Sequence, residues 1–88
     1  MTKSIMLVGV GGQGTILASK LLTIGLMEAG YDVKMSEIHG MSQRGGSVSS
    51  QVRYSDDNVY SPVIEIGGAD MIVSFEKMEA LRYLKYLK

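Results

Sequence analysis

Apolar positions fall along this chain in short blocks separated by glycine-rich or polar joints, and the period within each block predicts its element. Ser4 to Val8 reads as a continuous buried strand that Gly9 ends. Gly9-Val10-Gly11-Gly12-Gln13-Gly14 holds too much glycine for either regular element and predicts a tight loop. From Thr15 the spacing turns helical. Leu17, Leu21 and Ile24 form one stripe, Ala18, Leu22 and Ala29 a neighbouring one, and polar Ser19, Lys20 and Thr23 share an arc of roughly 100°. So wide an apolar face predicts a helix covered on more than one side, with Gly30 as its C-terminal stop.

Tyr31 to Glu37 predicts a second strand, with Val33 and Met35 alternating against Lys34 and Ser36. Ile38 to Gly46 shows no period and predicts a loop. Ser47 to Tyr54 alternates again, Val48, Ser50, Val52 and Tyr54 on one face and Ser49, Gln51 and Arg53 on the other, as in a strand with one wet side. Ser55-Asp56-Asp57-Asn58 is turn chemistry. Val59 to Ile66 fits neither period, and Pro62 confines any strand there to an edge. After a turn at Gly67-Gly68-Ala69-Asp70, Met71 to Phe75 predicts a short buried strand. Glu76 to Lys88 predicts a helix with Ala80, Leu81, Leu84 and Leu87 on one face. Strands joined through a helix imply parallel pairing. The expected fold is therefore α/β: a Rossmann-like open sheet with mostly parallel strands, in the order β-α-β-β-β-α. Residues 1–88 form one domain, and the element order reads as the N-terminal half of a longer one.

Composition narrows the chemistry. Nine basic residues balance nine acidic ones. Residues 1–44 carry four against three (+1) and residues 45–88 five against six (−1), so neither half offers a basic surface to nucleic acid. With no cysteine there is no disulfide, no thiolate nucleophile and no cysteine-ligated zinc or iron–sulfur site. A single histidine builds no metal cage. No signal-peptide core and no long apolar run stand in the sequence, so a cytoplasmic protein without a membrane segment is expected.

Gly9, Gly11 and Gly14 match a G-x-G-x-x-G spacing between a strand and a helix. Glycine there permits a tight turn and close backbone approach, and the helix start near Gln13 aims unpaired N–H groups at whatever sits above. Three readings stay open: tight packing with nothing bound, a bound anion or phosphate, or a dinucleotide. For the last, Glu37 stands 23 positions after Gly14 (37 − 14), about where a ribose-binding acid belongs. Glu37 is otherwise a salt-bridge partner for Arg44, whose guanidinium has the fork for carboxylate or phosphate. His39 is an acid or base candidate by residue type, histidine having a reference pKa of about 6.5, but it has no orienting partner in sequence, which favours a structural or interface role. Gln13 reads as a cap or an anion donor.

Taken together, Gly9-Val10-Gly11-Gly12-Gln13-Gly14 and Glu37-Ile38-His39-Gly40-Met41-Ser42-Gln43-Arg44-Gly45-Gly46-Ser47-Val48 closely resemble the gamma-type domain of 2-oxoacid:ferredoxin oxidoreductases. Within that family, the His-Gly-Met-Ser-Gln-Arg-Gly-Gly run resembles the small (beta) subunit of the indolepyruvate-specific enzymes. Ser61-Pro62, Gly67, Ala69-Asp70, Phe75-Glu76 and Glu79-Ala80-Leu81 also sit where the family pattern has them, so the likeness spans nearly all of the chain. The family domain is substantially longer. The resemblance implies a non-catalytic subunit of an enzyme that decarboxylates an aryl pyruvate oxidatively to an aryl acetyl-coenzyme A, with ferredoxin accepting the electrons. Thiamine diphosphate, Mg and iron–sulfur clusters would sit on a large catalytic partner subunit, and coenzyme A would be co-substrate. By the same resemblance, Gly9, Gly11, Gly12, Gln13 and Gly14 are candidates for an anion or coenzyme A. Glu37, His39, Gln43 and Arg44 would form a partner contact or active-site wall, with no catalytic residue of this chain's own.

Overall fold

The computed structural model describes residues 2–10, 13–39, 47–75 and 77–88. Strand β1 (Thr2–Val10) leads through helix α1 (Gln13–Glu28) to β2 (Asp32–His39), then β3 (Ser47–Ser55), β4 (Met71–Ser74) and helix α2 (Lys77–Tyr83). The element order matches the expected β-α-β-β-β-α, but the sheet is mixed. Its strand order is β2-β3-β1-β4. Among the described strands only β1 and β4 pair in parallel, whereas β3 is antiparallel to both β1 and β2. The helix does return β2 in the direction of β1, as a crossover must. What the local pattern could not show is that β3 inserts between them, splitting the β-α-β unit. Two elements also extend into expected loops: Gly9 and Val10 belong to β1, and Ile38 and His39 belong to β2.

Helix α1 lies over β1, β2 and β3 with its apolar stripe turned outward. Ser19 is fully buried against the sheet, whereas Leu17 and Leu21 are 59% and 61% exposed, with Ile24 and Met27 beside them. The reversal has a hydrogen-bonding cause. Ser19 Oγ donates to Ile16 O at 2.9 Å and Thr23 Oγ1 to Ser19 O at 2.8 Å, so the helix satisfies its own hydroxyls and can bury them. Small side chains also let it approach the strands closely, and Thr23 Oγ1 sits 3.7 Å from Met35 Sδ. The helix ends as expected at Gly30, whose φ of 96° is the left-handed region. Tyr31 N–H bonds to Leu26 O and Gly30 N–H to Met27 O, the paired bonds of a Schellman stop.

The expected wet face of β3 is covered. Ser49 and Gln51 are both buried, beneath the strap formed by residues 58–68, which is not a strand. Gln51 Oε1 accepts Ile64 N–H at 3.0 Å, and Arg53 Nη1 donates to the carbonyls of Ser61 (2.9 Å) and Val63 (3.3 Å). Arg53 Nε also donates to Ser4 Oγ at 3.1 Å, and Asp32 accepts Val59 N–H at 2.8 Å. The polar residues of the alternating strands thus supply hydrogen bonds to a segment that has no ladder of its own. Beneath the strap, Met6, Val8, Ile64 and Ala69 make the core, with Ile72, Tyr83 and Tyr86 packed on it.

Helix α2 is shorter than its expected span and tightens into a 3-10 turn over Leu84–Tyr86. Its packing face carries Tyr83 and Tyr86, while Leu81, Leu84 and Leu87 are exposed. Lys88 closes the chain onto the sheet, with its ammonium 2.9 Å from Asp70 Oδ1. That hydrogen bond, together with Ser4 N–H donated to Asp70 Oδ2 at 2.8 Å, holds the Asp70 carboxyl below the ordinary carboxylate range. A depressed folded-state pKa stabilises the fold above the unfolded value of about 3.9, and the contribution is lost as pH falls through the folded one. Chemical unfolding between pH 5 and 2 should therefore show a steep acid limb that is shallower in Asp70→Asn. An unchanged slope would show that the carboxylate contributes nothing.

Candidate functional site at the carboxyl end of the sheet

Because β2 is antiparallel to β3, and β3 to β1, strands β1, β2 and β4 all run the same way. Their C-terminal ends, Val10, His39 and Ser74, therefore share one end of the sheet, and β3 departs from it at Ser47. The glycine loop after β1 and the 40–46 segment after β2 leave from that same end, where open α/β sheets place their ligands. Gly11, Gly12, Gln43 and Arg44 lie outside the described residues, so the expected Glu37–Arg44 pair does too. The described chain positions Gly9, Gln13, Gly14, Glu37 and His39.

Gly9 has a packing explanation. A Cβ at this position would fall inside the van der Waals shell of Thr15 Oγ1 and touch Phe75 at 3.7 Å. Strand, helix and the end of β4 therefore meet over a backbone that only glycine can supply. Gly14, by contrast, has open space where a Cβ would go. Gln13 is the first residue of α1. Thr15 and Phe75 are the site residues that sequence reasoning missed. Thr15 is buried, and Phe75, on the α1 side of the sheet, is 53% exposed. Their sequence signals were slight. Thr15 follows the glycine loop, and Phe75 stands in the family run Phe75-Glu76 just after β4, a strand that the pattern predicts as buried and whose Met71 and Val73 are exposed.

Glu37 is exposed and stands opposite Ser50 of β3, which in turn stands opposite Leu7 of β1. With β3 between them, the ends of β1 and β2 are about two strand spacings apart, roughly 10 Å, instead of one. A ribose held by Glu37 would have to span twice the gap it spans in a dinucleotide fold whose first two strands are neighbours. Ser49 and Ser50 hydroxyls, near this end of β3, are buried without a hydrogen-bond partner.

The donor set does not fit an iron–sulfur cluster held here. The chain has no cysteine, and among the described residues no three His, Asp or Glu side chains come together. A cavity of about 310 Å³ opens beside Ser4, Arg53, Ser61 and Glu65. It lies at the amino end of β1, away from the loops, and Arg53 there is engaged with the strap.

The family model described as pyruvate ferredoxin/flavodoxin oxidoreductase matches residues 4–88. The chain belongs to this family. It is 53% identical over 85 residues to the indolepyruvate oxidoreductase subunit IorB of Pyrococcus horikoshii, and 52% identical over 85 residues to the IorB subunit of Thermococcus kodakarensis. Each match covers 97% of this chain and 42% of the relative, so the chain spans about two-fifths of the length of these curated relatives. Among solved structures it is similar to the gamma subunit of a keto/oxoacid ferredoxin oxidoreductase from Geobacter sulfurreducens. The TM-score is 0.74 at 28% identity, over 98% of this chain and 46% of that one. The resemblance read from the two loops is therefore shown. The mixed sheet carrying two helices matches a gamma-subunit oxidoreductase fold. Among the described residues no helix is long and apolar enough to cross a membrane.

Proposed function

We propose that this oxidoreductase-family chain is part of the small, non-catalytic subunit of an indolepyruvate-type 2-oxoacid:ferredoxin oxidoreductase, and that residues 1–88 are the N-terminal half of its domain. The observation that carries the reading is that β1 and β2, each followed in sequence by one of the family loops, end with β4 at the same end of the sheet. There the chain contributes shape and polarity to a reaction centre completed by a larger subunit. Gly9, Gly11, Gly12, Gln13 and Gly14 would hold an anion such as a phosphate of coenzyme A, because a helix start offers it unpaired N–H groups. Glu37, His39, Gln43 and Arg44 form the wall facing the partner. Thiamine diphosphate, Mg and the clusters belong to that partner, which supplies the carbanion and electron chemistry and passes electrons to ferredoxin in the cytoplasm. The split β-α-β unit weighs against the dinucleotide alternative, because it moves Glu37 a strand further from the glycine loop.

Co-expression with a cysteine-rich large subunit tests the reading. The complex is expected to co-purify, and Arg44→Glu is expected to weaken it about tenfold or more, the scale of losing a charged pair in a desolvated interface. Titration calorimetry decides the alternative: tight NAD or NADP binding that disappears in Glu37→Ala would replace the proposal.

A further inference from the structure

The sheet is not closed at β4. Among the described strands β4 is the last, with β1 on one side only. On the face that α1 flanks, Met71, Val73 and Phe75 are exposed by 53%, 36% and 53%. Helix α1 lies over β1, β2 and β3 and leaves this strip bare. At the head of the open edge a new pairing has already begun. Leu87 forms a parallel bridge with Ala69, in which Ala69 N–H donates to Tyr86 O at 2.8 Å and Lys88 N–H to Ala69 O at 2.9 Å. Gly67 N–H donates to Lys85 O at 3.0 Å just before it. Residues 75–86, twelve in all (86 − 74), connect β4 to this bridge through α2. That is the length and composition of a crossover between neighbouring parallel strands.

We infer that the outer edge of β4 is a strand-acceptor surface. Its occupant is a parallel fifth strand formed by the polypeptide that follows the position of Lys88 in the longer subunits of this family. Three features commit the edge to that occupant. The bridge at Leu87 fixes the direction as parallel, which a chain continuing from Lys88 supplies without reversal. The similar subunits are more than twice the length of the matched region, and with residues 1–88 as the N-terminal half of the domain, the remainder follows the position of Lys88 and supplies the strand. The bare Met71, Val73 and Phe75 strip is the apolar face that a further strand and its own crossover would cover. The inference rests on the proposed reading of residues 1–88 as the N-terminal half of the domain and on strand pairing, not on the activity proposed above.

Because the chain has no cysteine, Val73→Cys places a single thiol on the strip. In the 88-residue chain that thiol should react with a maleimide at nearly the rate of an exposed cysteine. Fusing to Lys88 the part of the Pyrococcus horikoshii subunit that follows its matched region should slow labelling about tenfold or more. Amide exchange across residues 71–74 should slow by a similar factor. The same segment supplied as a separate chain should protect the thiol equally, which frees the result from the folding of the fusion. Unchanged labelling and exchange in both formats would overturn the inference. So would protection of the 88-residue chain alone that grows with its concentration, since a second copy would then hold the edge. Keto-acid oxidation enters neither readout, so failure of the functional proposal leaves this result standing.

Discussion

Gly9→Ala is expected to destabilise the fold by about 2 kcal/mol, the scale of forcing an extra methyl into a well-packed core. Thr15 Oγ1 already occupies the space in which the methyl would sit, and Thr15 is itself buried in the first turn of α1. Relief would require Thr15 to change rotamer or the first turn of α1 to lift from β1. The cost should be specific to that one contact. In a Thr15→Ala background the same substitution should cost less than half as much, because its remaining neighbour, Phe75 at 3.7 Å, is at ordinary contact distance. Urea unfolding of the four proteins in the cycle measures the coupling. Additive losses would show that Gly9 serves some purpose other than close packing.

The second large effect is expected at Gln51→Leu, with a loss of about 1–3 kcal/mol. Gln51 is almost wholly buried, and its carbonyl oxygen is the acceptor for the Ile64 N–H. Leucine fills a similar volume but leaves that N–H without a partner inside the core, a penalty of about 1–3 kcal/mol. Ile64 belongs to the central apolar cluster, so the strap would pull away from Met6 and Val8 as it sought water. The Ser36 hydroxyl, 3.4 Å from the same oxygen, would lose an acceptor as well. Urea unfolding gives the free energy, and exchange of the Ile64 amide should accelerate in step. A loss below about 0.5 kcal/mol, with that amide still protected, would mean that another acceptor serves the strap.

The order of elements was legible because each block keeps its own period, and the stop at Gly30 because left-handed φ favours glycine. The sheet's pairing was not. Local pattern says which face of β3 is apolar but carries no record of its neighbours, and the insertion of β3 between β1 and β2 is a long-range event. The facing of α1 was misread for a related reason. With apolar residues on nearly every side, the choice of buried face passed to close approach and self-satisfied hydroxyls, for which Ser19 and Thr23 are suited. Gln and Arg usually face water, so the pattern predicts a wet side for β3, whereas here Gln51 and Arg53 serve the backbone of residues 58–68. At the candidate site, Gly9 and Glu37 were legible as a motif. The structure adds the packing reason for the first and the extra strand that distances the second. Thr15 and Phe75 emerged only when the folded chain brought them to Gly9.

In the proposed role this polypeptide contributes structure to a reaction whose electron carriers lie elsewhere. The most direct test of that role is anaerobic reduction of ferredoxin by indolepyruvate and coenzyme A. The assay is run with the 88-residue chain alone, with the full-length small subunit alone, and with that subunit joined to its large partner. Reduction is expected only in the joined sample, with electrons appearing on clusters of the large subunit. Ferredoxin reduction by either small form without the partner would contradict the claim.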